Sequence, residues 1–473
     1  VADFFPPHAA EERNQRTCIK LSKGNERSSE VPMEFPKQFV WGAASSSYQT
    51  EGNRSGRGDS IWDEFCTRPG AIRNGETGDI ACDGLRRFRE DVQLLKHLGL
   101  SAYRFSLSWP RIFPDGRGEP NRAGLDYYDD LIDLLLAEGI TPYVTLYHWD
   151  LPLVLERQGG WRSRETALAF AEYAGLVARH FAGRVRHYCT LNEPQCFIGL
   201  GYGTGEHAPG VCLEDSELFA CAANALLAHG LAVRTIRQES KEPVQIGAAS
   251  TGKLCYPLHD TAENRAAAER ASFLAEGDRW WFTHTWFLDA ILLGSLPPEL
   301  QALADSIPRE DWAIIRQPLD FLGVNVYNGT QVDERGEYAE RIPGFPRTAL
   351  KWPVTPQAMR YGPRWLYRRY RLPIYITENG QSCNDRIFLD GKVHDPDRID
   401  FLHRYLLELR ECCAEGIPVK GYFHWSLTDN FEWNNGYDER MGLVYLHYPT
   451  QRRIVKDSAE WYTRTVQTNG RLL

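Results

Sequence analysis

From Phe35 onward, short runs of apolar, β-branched and aromatic residues alternate with longer stretches whose apolar residues recur every three or four positions. The first pattern fits a buried strand, the second an amphipathic helix. Strands are predicted over 39–45, 102–109, 141–149, 186–191, 244–251, 319–327, 373–377 and 419–427. Helices are predicted over 86–99, 125–139, 166–181, 217–240, 281–293 and 398–416. In the first of these, Leu94, Leu95 and Leu98 lie among charged residues and Gly99 marks the stop. Eight strands alternating with helices imply an α/β fold, a (β/α)8 barrel of parallel strands. No low-complexity linker divides 34–473, which reads as a single domain, while residues 1–33 are polar and aperiodic and read as a disordered or appended segment. Loops near 50–80, 250–280, 328–355 and 428–448 are expected to rim one mouth.

The strand ends carry residues that a plain core excludes. The apolar run Ile374-Tyr-Ile-Thr-Glu378-Asn-Gly380 breaks off at a carboxylate, and His187-Tyr-Cys-Thr-Leu-Asn192-Glu193-Pro194 does the same. A carboxylate where a strand surfaces is costly unless it is paired or used. The other ends bring Gln49 and Glu51, Arg104 and Trp109, His148-Trp149-Asp150, Asn325 and Tyr327, then Trp425, Asp429, Glu432 and Trp433. In a barrel of this type the C-terminal strand ends converge on one mouth. Two carboxylates there are what cleavage of a glycosidic bond requires.

Composition narrows the partners. The 473 residues carry a formal charge of −9 with no sustained basic run, which argues against nucleic acid or an anionic membrane. No apolar run approaches the ~20 residues of a membrane span. The N-terminus lacks a basic-then-apolar leader pattern, and eleven irregularly spaced cysteines fit reduced thiols in a cytoplasmic protein. His-Glu-x-x-His and paired Cys-x-x-Cys motifs are missing, so no metal or cofactor is implied.

A set of motifs then gives the pattern a family. Phe35-Pro-x-x-Phe39-x-Trp41-Gly-x-Ala, Tyr48-Gln49-x-Glu51-Gly52, Tyr103-Arg104-Phe-Ser-x-Ser-Trp109 and His148-Trp-Asp-Leu-Pro152 are followed by Thr190-Leu-Asn-Glu-Pro194, Ile376-Thr-Glu-Asn-Gly380 and Trp425-Ser-Leu-x-Asp-Asn-Phe-Glu-Trp433. In order and in content they resemble glycoside hydrolase family 1, over about 35–462. The resemblance implies a retaining β-glycosidase, typically a β-glucosidase, acting on small β-glycosides and short β-linked oligosaccharides.

Retention places two carboxyl groups roughly 5–5.5 Å apart, too close for an intervening water. Glu378 is the expected nucleophile, its anion stabilised by Arg104 and Tyr327, with Asn325 in the same catalytic set. Glu193 is the expected acid/base, its pKa raised by burial and by Glu378. Once Glu378 becomes a neutral ester, that repulsion vanishes and Glu193 can activate water. Sugar hydroxyls are assigned to Gln49 and Glu432, each able to hold two, and to His148, Trp149, Asn192 and Trp433. Trp425 offers a flat apolar platform, and Trp352 matches the family's aglycone-side tryptophan. An anionic Glu432 is expected to repel phosphorylated sugars.

The chain departs from the family pattern at Leu85-Arg86, Ala358, Met441 and His447, of which Met441 and Ala358 bear on the pocket wall or mouth. Rival readings are weaker. Gly201-Tyr-Gly203-Thr-Gly205 lacks the helix that a dinucleotide loop needs. A non-catalytic carbohydrate-binding barrel would need the aromatic platform but neither glutamate.

Overall fold

The computed structural model describes residues 34–275 and 277–473, which belong to one compact unit. The reading of residues 1–33 falls outside the described residues. Eight parallel strands close a barrel in which each is paired with its neighbours in the chain and the last returns to the first. They are β1 (Val40–Ala44), β2 (Ala102–Ser106), β3 (Thr141–Tyr147), β4 (His187–Asn192), β5 (Gln245–Ser250), β6 (Leu322–Asn325), β7 (Ile374–Asn379) and β8 (Val419–Trp425). The predicted fold and all eight predicted strands are found, with ends trimmed by a few residues. At β2 the trim matters, because Trp109 starts a short helix, Trp109–Ile112, and is buried against Tyr173 instead of facing the mouth.

Helices α1 (Gly84–His97), α2 (Arg122–Ala137), α3 (Arg164–His180), α4 (Asp215–Glu239), α5 (Ala358–Tyr370), α6 (Pro396–Ala414) and α7 (Asp457–Gln467) surround the barrel. α5 and α7 are additions to the expected set, as is Ala262–Phe273 inside the expected 250–280 loop. α5 contains Gly362 and Pro363, which mask its periodicity, and Ala262–Phe273 is rich in alanine and charge with little apolar stripe. The expected 281–293 helix is a short turn, Thr285–Leu288, continued by a π-turn, Asp289–Leu293. α4 is long and apolar enough to cross a membrane, but its apolar face is buried inside the domain. The ten cysteines among the described residues are free thiols.

Large side chains fill the barrel's interior. Tyr143 on β3 packs edge-on against Tyr375 on β7 and Phe423 on β8, at 5.6 and 4.9 Å between ring centres. Because β3 is not a neighbour of β7 or β8, these contacts cross the barrel. Ala44 and Ala102 supply the small facing positions.

Side chains alternate along a strand with a period of two. Tyr375 and Glu378 on β7 nevertheless both point inward, although they are three residues apart. Register shifts next to Glu378, and between Cys189 and Asn192 on β4, account for this. Each bulge turns the end of its strand so that a polar side chain enters the mouth.

The loop after β8 is fastened from behind. Asp429 accepts from Lys456 Nζ at 2.6 Å, Arg440 Nη1 at 2.7 Å and the Gly442 amide at 3.0 Å. Lys456 also donates to Asp385, and all three side chains are almost wholly buried. Burial would raise the Asp385 pKa, but Lys456 and Arg398 hold it below the ordinary carboxylate value. Lys456→Met takes one of two cations from each of two buried carboxylates and is expected to cost about 3–5 kcal/mol in urea unfolding. A loss below ~1 kcal/mol would show that the network does not anchor this loop.

Candidate active site

At the C-terminal ends of the strands lies a cavity of about 890 Å3. Glu193 and Glu378 both line it, together with His148, Trp149, Asn325, Tyr327, Trp352, Trp425, Glu432 and Trp433. Both glutamates are buried, exposed by only 6% and 3%. Gln49, Arg104 and Asn192, the other residues expected at the site, stand behind the wall. The Gln49 amide is engaged, accepting from Ser46 Oγ at 2.5 Å and donating to Asn430 and the Phe431 carbonyl at 3.1 and 2.8 Å.

Arg104 on β2 reaches across the barrel to Glu378 on β7, with Nη1 2.6 Å from Oε1. The Tyr327 hydroxyl donates to the other carboxylate oxygen at 2.8 Å. Arg104 Nη2 meanwhile holds the Asn192 carbonyl at 2.6 Å. Asn325 links the two halves of the site. Its Nδ2 donates to Asn192 at 3.1 Å and to Glu193 Oε1 at 2.7 Å, while Thr377 fixes its carbonyl at 2.6 Å. Glu193 has no cation against it and shares its environment with the Cys196 thiol one helical turn on.

Burial raises the pKa of both carboxyls above the ordinary value, but their neighbours act on the two in opposite senses. In Glu378 the Arg104 charge and the hydrogen bonds from Arg104, Tyr327 and Asn325 oppose the desolvation. In Glu193 the negative charge of Glu378 adds to it. The shared proton therefore resides on Glu193 and the charge on Glu378. Glu432, hydrogen-bonded by Trp425, is pushed up to about 8 by burial and then by Glu378. It is thus a neutral acid near pH 7, able to donate as well as accept, and the expectation of a repelling anion is corrected accordingly.

His148 is kept neutral by burial and by the Arg104 charge, which lower its pKa well below the ordinary value. Its Nε2 is 3.2 Å from Asn192 Nδ2, which must donate, so the ring proton sits on Nδ1. Nδ1 is buried and has no hydrogen-bond partner among the described residues. The ring lies parallel to Trp425 and Trp433, at 5.5 and 6.0 Å between centres. Trp433 also packs on Trp149 and Trp62 at 4.6 and 4.4 Å. Trp352 is half-buried and meets the edge of Tyr327 at 5.3 Å.

Three wall residues, Trp149, Glu193 and Trp433, hold left-handed backbone conformations, with φ of 78°, 48° and 51°. Bulky side chains rarely adopt such angles, and their clustering at one cavity marks a position that the surroundings enforce. After Glu193, Pro194 opens a short helix, Pro194–Ile198, that fixes the acid's direction. After Glu378, a Cβ on Gly380 would collide with the Trp425 carbonyl, so β7 can pass β8 there only with glycine.

Several wall residues escaped the sequence reading, among them Cys196, His207, Thr251, Lys253, Phe282 and Asn434. Most lie on loops or in single helical turns, where no periodic pattern marks them, and Thr251 closes a predicted strand without a charge to single it out. Met441 does line the cavity, as its departure from the family pattern anticipated, while Ala358 packs on Gly329 instead.

The family model described as glycosyl hydrolase family 1 matches residues 31–471. Beta-glucosidase A of Thermotoga maritima is 40% identical over 450 residues, covering 92% of this chain and 98% of that protein. A bifunctional beta-D-glucosidase/beta-D-fucosidase of Bifidobacterium breve is 40% identical over 472 residues, covering 92% of this chain and 99% of that one. The solved structure of the Thermotoga maritima beta-glucosidase in complex with glucoimidazole superimposes with a TM-score of 0.85 at 40% identity, covering 93% of this chain and 100% of that one.

The electrostatic coupling can be tested without substrate. In Glu378→Gln, Glu193 loses its negative neighbour and should titrate at lower pH than in the unaltered protein, followed by carbon NMR of labelled glutamates. An unchanged or higher midpoint would mean that the two carboxyls do not sense each other.

Proposed function

Because the chain belongs to glycosyl hydrolase family 1, we propose that it cleaves terminal, non-reducing β-D-glucosides, and also β-galactosides and β-fucosides, with retention of configuration. Glu378 attacks the anomeric carbon, forming a covalent glycosyl-enzyme, while Glu193 protonates the departing oxygen. Water then enters in place of the aglycone, gives its proton to Glu193, and releases the sugar. The observation that carries this reading is the unequal treatment of two buried carboxyls on one cavity. Glu378 has a guanidinium and a phenol against it, whereas Glu193 has an amide donor and a negative neighbour.

The Asn325 amide occupies Glu193 Oε1, leaving Oε2 to carry the proton. Arg104, Asn192 and Asn325 are positioning residues in this scheme. The glycone would take hydrogen bonds from His148 Nδ1 and the Glu432 carboxyl, with Trp425 beneath its C–H face and Trp149 and Trp433 closing the wall. Gln49, one layer back, would reach its hydroxyls only by exchanging a present partner. The aglycone would leave past Trp352. The dual glucosidase/fucosidase name of the Bifidobacterium breve relative supports a glycone range wider than glucose.

Glu378→Ala should abolish turnover, and azide or formate should partly restore it, azide giving the α-glycosyl product. Glu193→Ala should slow glycosides with poor leaving groups by about 10²–10⁴-fold while sparing dinitrophenyl glycosides. Full activity of Glu193→Ala on poor leaving groups, or first release of the α-anomer by the unaltered enzyme, would refute the scheme. The pH profile of kcat/KM should rise as Glu378 ionises and fall as Glu193 loses its proton. Its falling limb should lie above the ordinary carboxylate range. Asn325→Ala removes a donor that favours the Glu193 anion, so that limb should move to higher pH. A move to lower pH would contradict the assignment.

A further inference from the structure

The outer part of the cavity has a different chemistry from its floor. Leu274 and Phe282, each 39% exposed, line it together with Leu254 and Trp352. Apolar side chains left open at the mouth of a binding cavity gain by being covered. The same wall carries Lys253 and Arg279, and among the described residues neither has an ion-pair partner within 4 Å. Among the described residues Glu206 is the carboxylate beside these two cations, so the described part of this wall carries more positive than negative charge on a chain whose formal charge is −9.

These residues are held in place from the catalytic side. Gln195, two positions after Glu193, donates to the Thr283 carbonyl at 3.3 Å and accepts from the Thr251 amide at 3.4 Å. The Lys253 amide in turn donates to the Phe282 carbonyl at 3.2 Å. The two loops that present the cations are thereby fastened to each other and to the segment that carries the acid/base.

We propose that the outer wall selects β-glycosides whose aglycone is an aromatic ring bearing a carboxylate, the ring covering Phe282 and Leu274 and the carboxylate meeting Lys253 and Arg279. The proposal rests on the glycosidase reading above and adds the substrate class. The ring supplies more apolar cover than a sugar aglycone, and the anion supplies a charge partner that the two cations lack among the described residues.

The test compares 4-(carboxymethyl)phenyl β-D-glucoside with its neutral amide, 4-(carbamoylmethyl)phenyl β-D-glucoside. The methylene insulates the phenol from the charge, so the leaving groups are matched. At low salt, kcat/KM for the acid should exceed that for the amide by about two- to fivefold, mainly through KM. The ratio should shrink toward one at about 0.5 M salt. It should also fall to about one in Lys253→Gln/Arg279→Gln and below one in the charge reversal Lys253→Glu. Equal or poorer use of the acid by the unaltered enzyme would overturn the charge preference alone, as would a ratio that these substitutions leave in place. Release of neither phenol would overturn the glycosidase reading, and this one with it.

Discussion

The Arg104–Glu378 ion pair, with side chains 1% and 4% exposed, is the interaction on which the rest of the site depends. Burying a carboxylate costs several kcal/mol, and burying a second beside it costs more unless one is neutral. A single guanidinium resolves this by settling the charge on the nearer carboxyl and the proton on the other. The arrangement works only if the guanidinium reaches Glu378 without also neutralising Glu193. Arg104 manages this because its second nitrogen is taken by Asn192, whose carbonyl also receives Asn325. Asn325 then presents its remaining hydrogen to Glu193. Three side chains from three strands thus divide two buried carboxyls into an anion and an acid.

That division requires side chains that regular strands would point elsewhere. On β7 the inward sequence runs from Tyr375, which helps fill the barrel, to Glu378, three residues on, where an even pleat would face outward. On β4 the same parity problem separates Cys189 from Asn192. The register shifts at these places are the local price of a filled core below and a polar mouth above. Left-handed turns at Trp149, Glu193 and Trp433 complete the re-aiming, and the packing of Trp433 between Trp62, Trp149 and His148 holds its turn against relaxation.

Much of this was legible from the chain. Short apolar, β-branched and aromatic runs located all eight strands, and the broken ends of β4 and β7 pointed to the two glutamates. What escaped was direction. Glu51, Asp150 and Asp429 also follow strand ends, yet they turn away from the cavity into ion pairs or hydrogen bonds with Arg111, Ser47 and Lys456. A carboxylate at a strand end reads the same in one dimension whether it faces a cavity or a buried cation. Gln49 fell on the same ambiguity, since an amide that can hold two hydroxyls can as well hold Ser46, Asn430 and a carbonyl. The cavity's loop residues had no periodic signal to expose them, and the protonation of Glu432 depends on three other glutamates brought near it only by folding.

The charge state of the floor gives a better reason to expect uncharged sugars there than repulsion by Glu432 does. Near pH 7 the floor holds one anion, Glu378, matched by one cation, Arg104, while Glu432, Glu193 and His148 are neutral. A neutral glycone can replace water there by trading hydrogen bonds, with no change in net charge. A phosphorylated glycone would bring additional negative charge to a place where the single cation is already paired, and burying an unmatched charge is among the costliest events in a protein. Exclusion therefore follows from the absence of a free cation among the described floor residues. Lys253 and Arg279, without an ion-pair partner among the described residues, line the same cavity with the exposed Phe282, where the departing group and not the bound sugar would meet them.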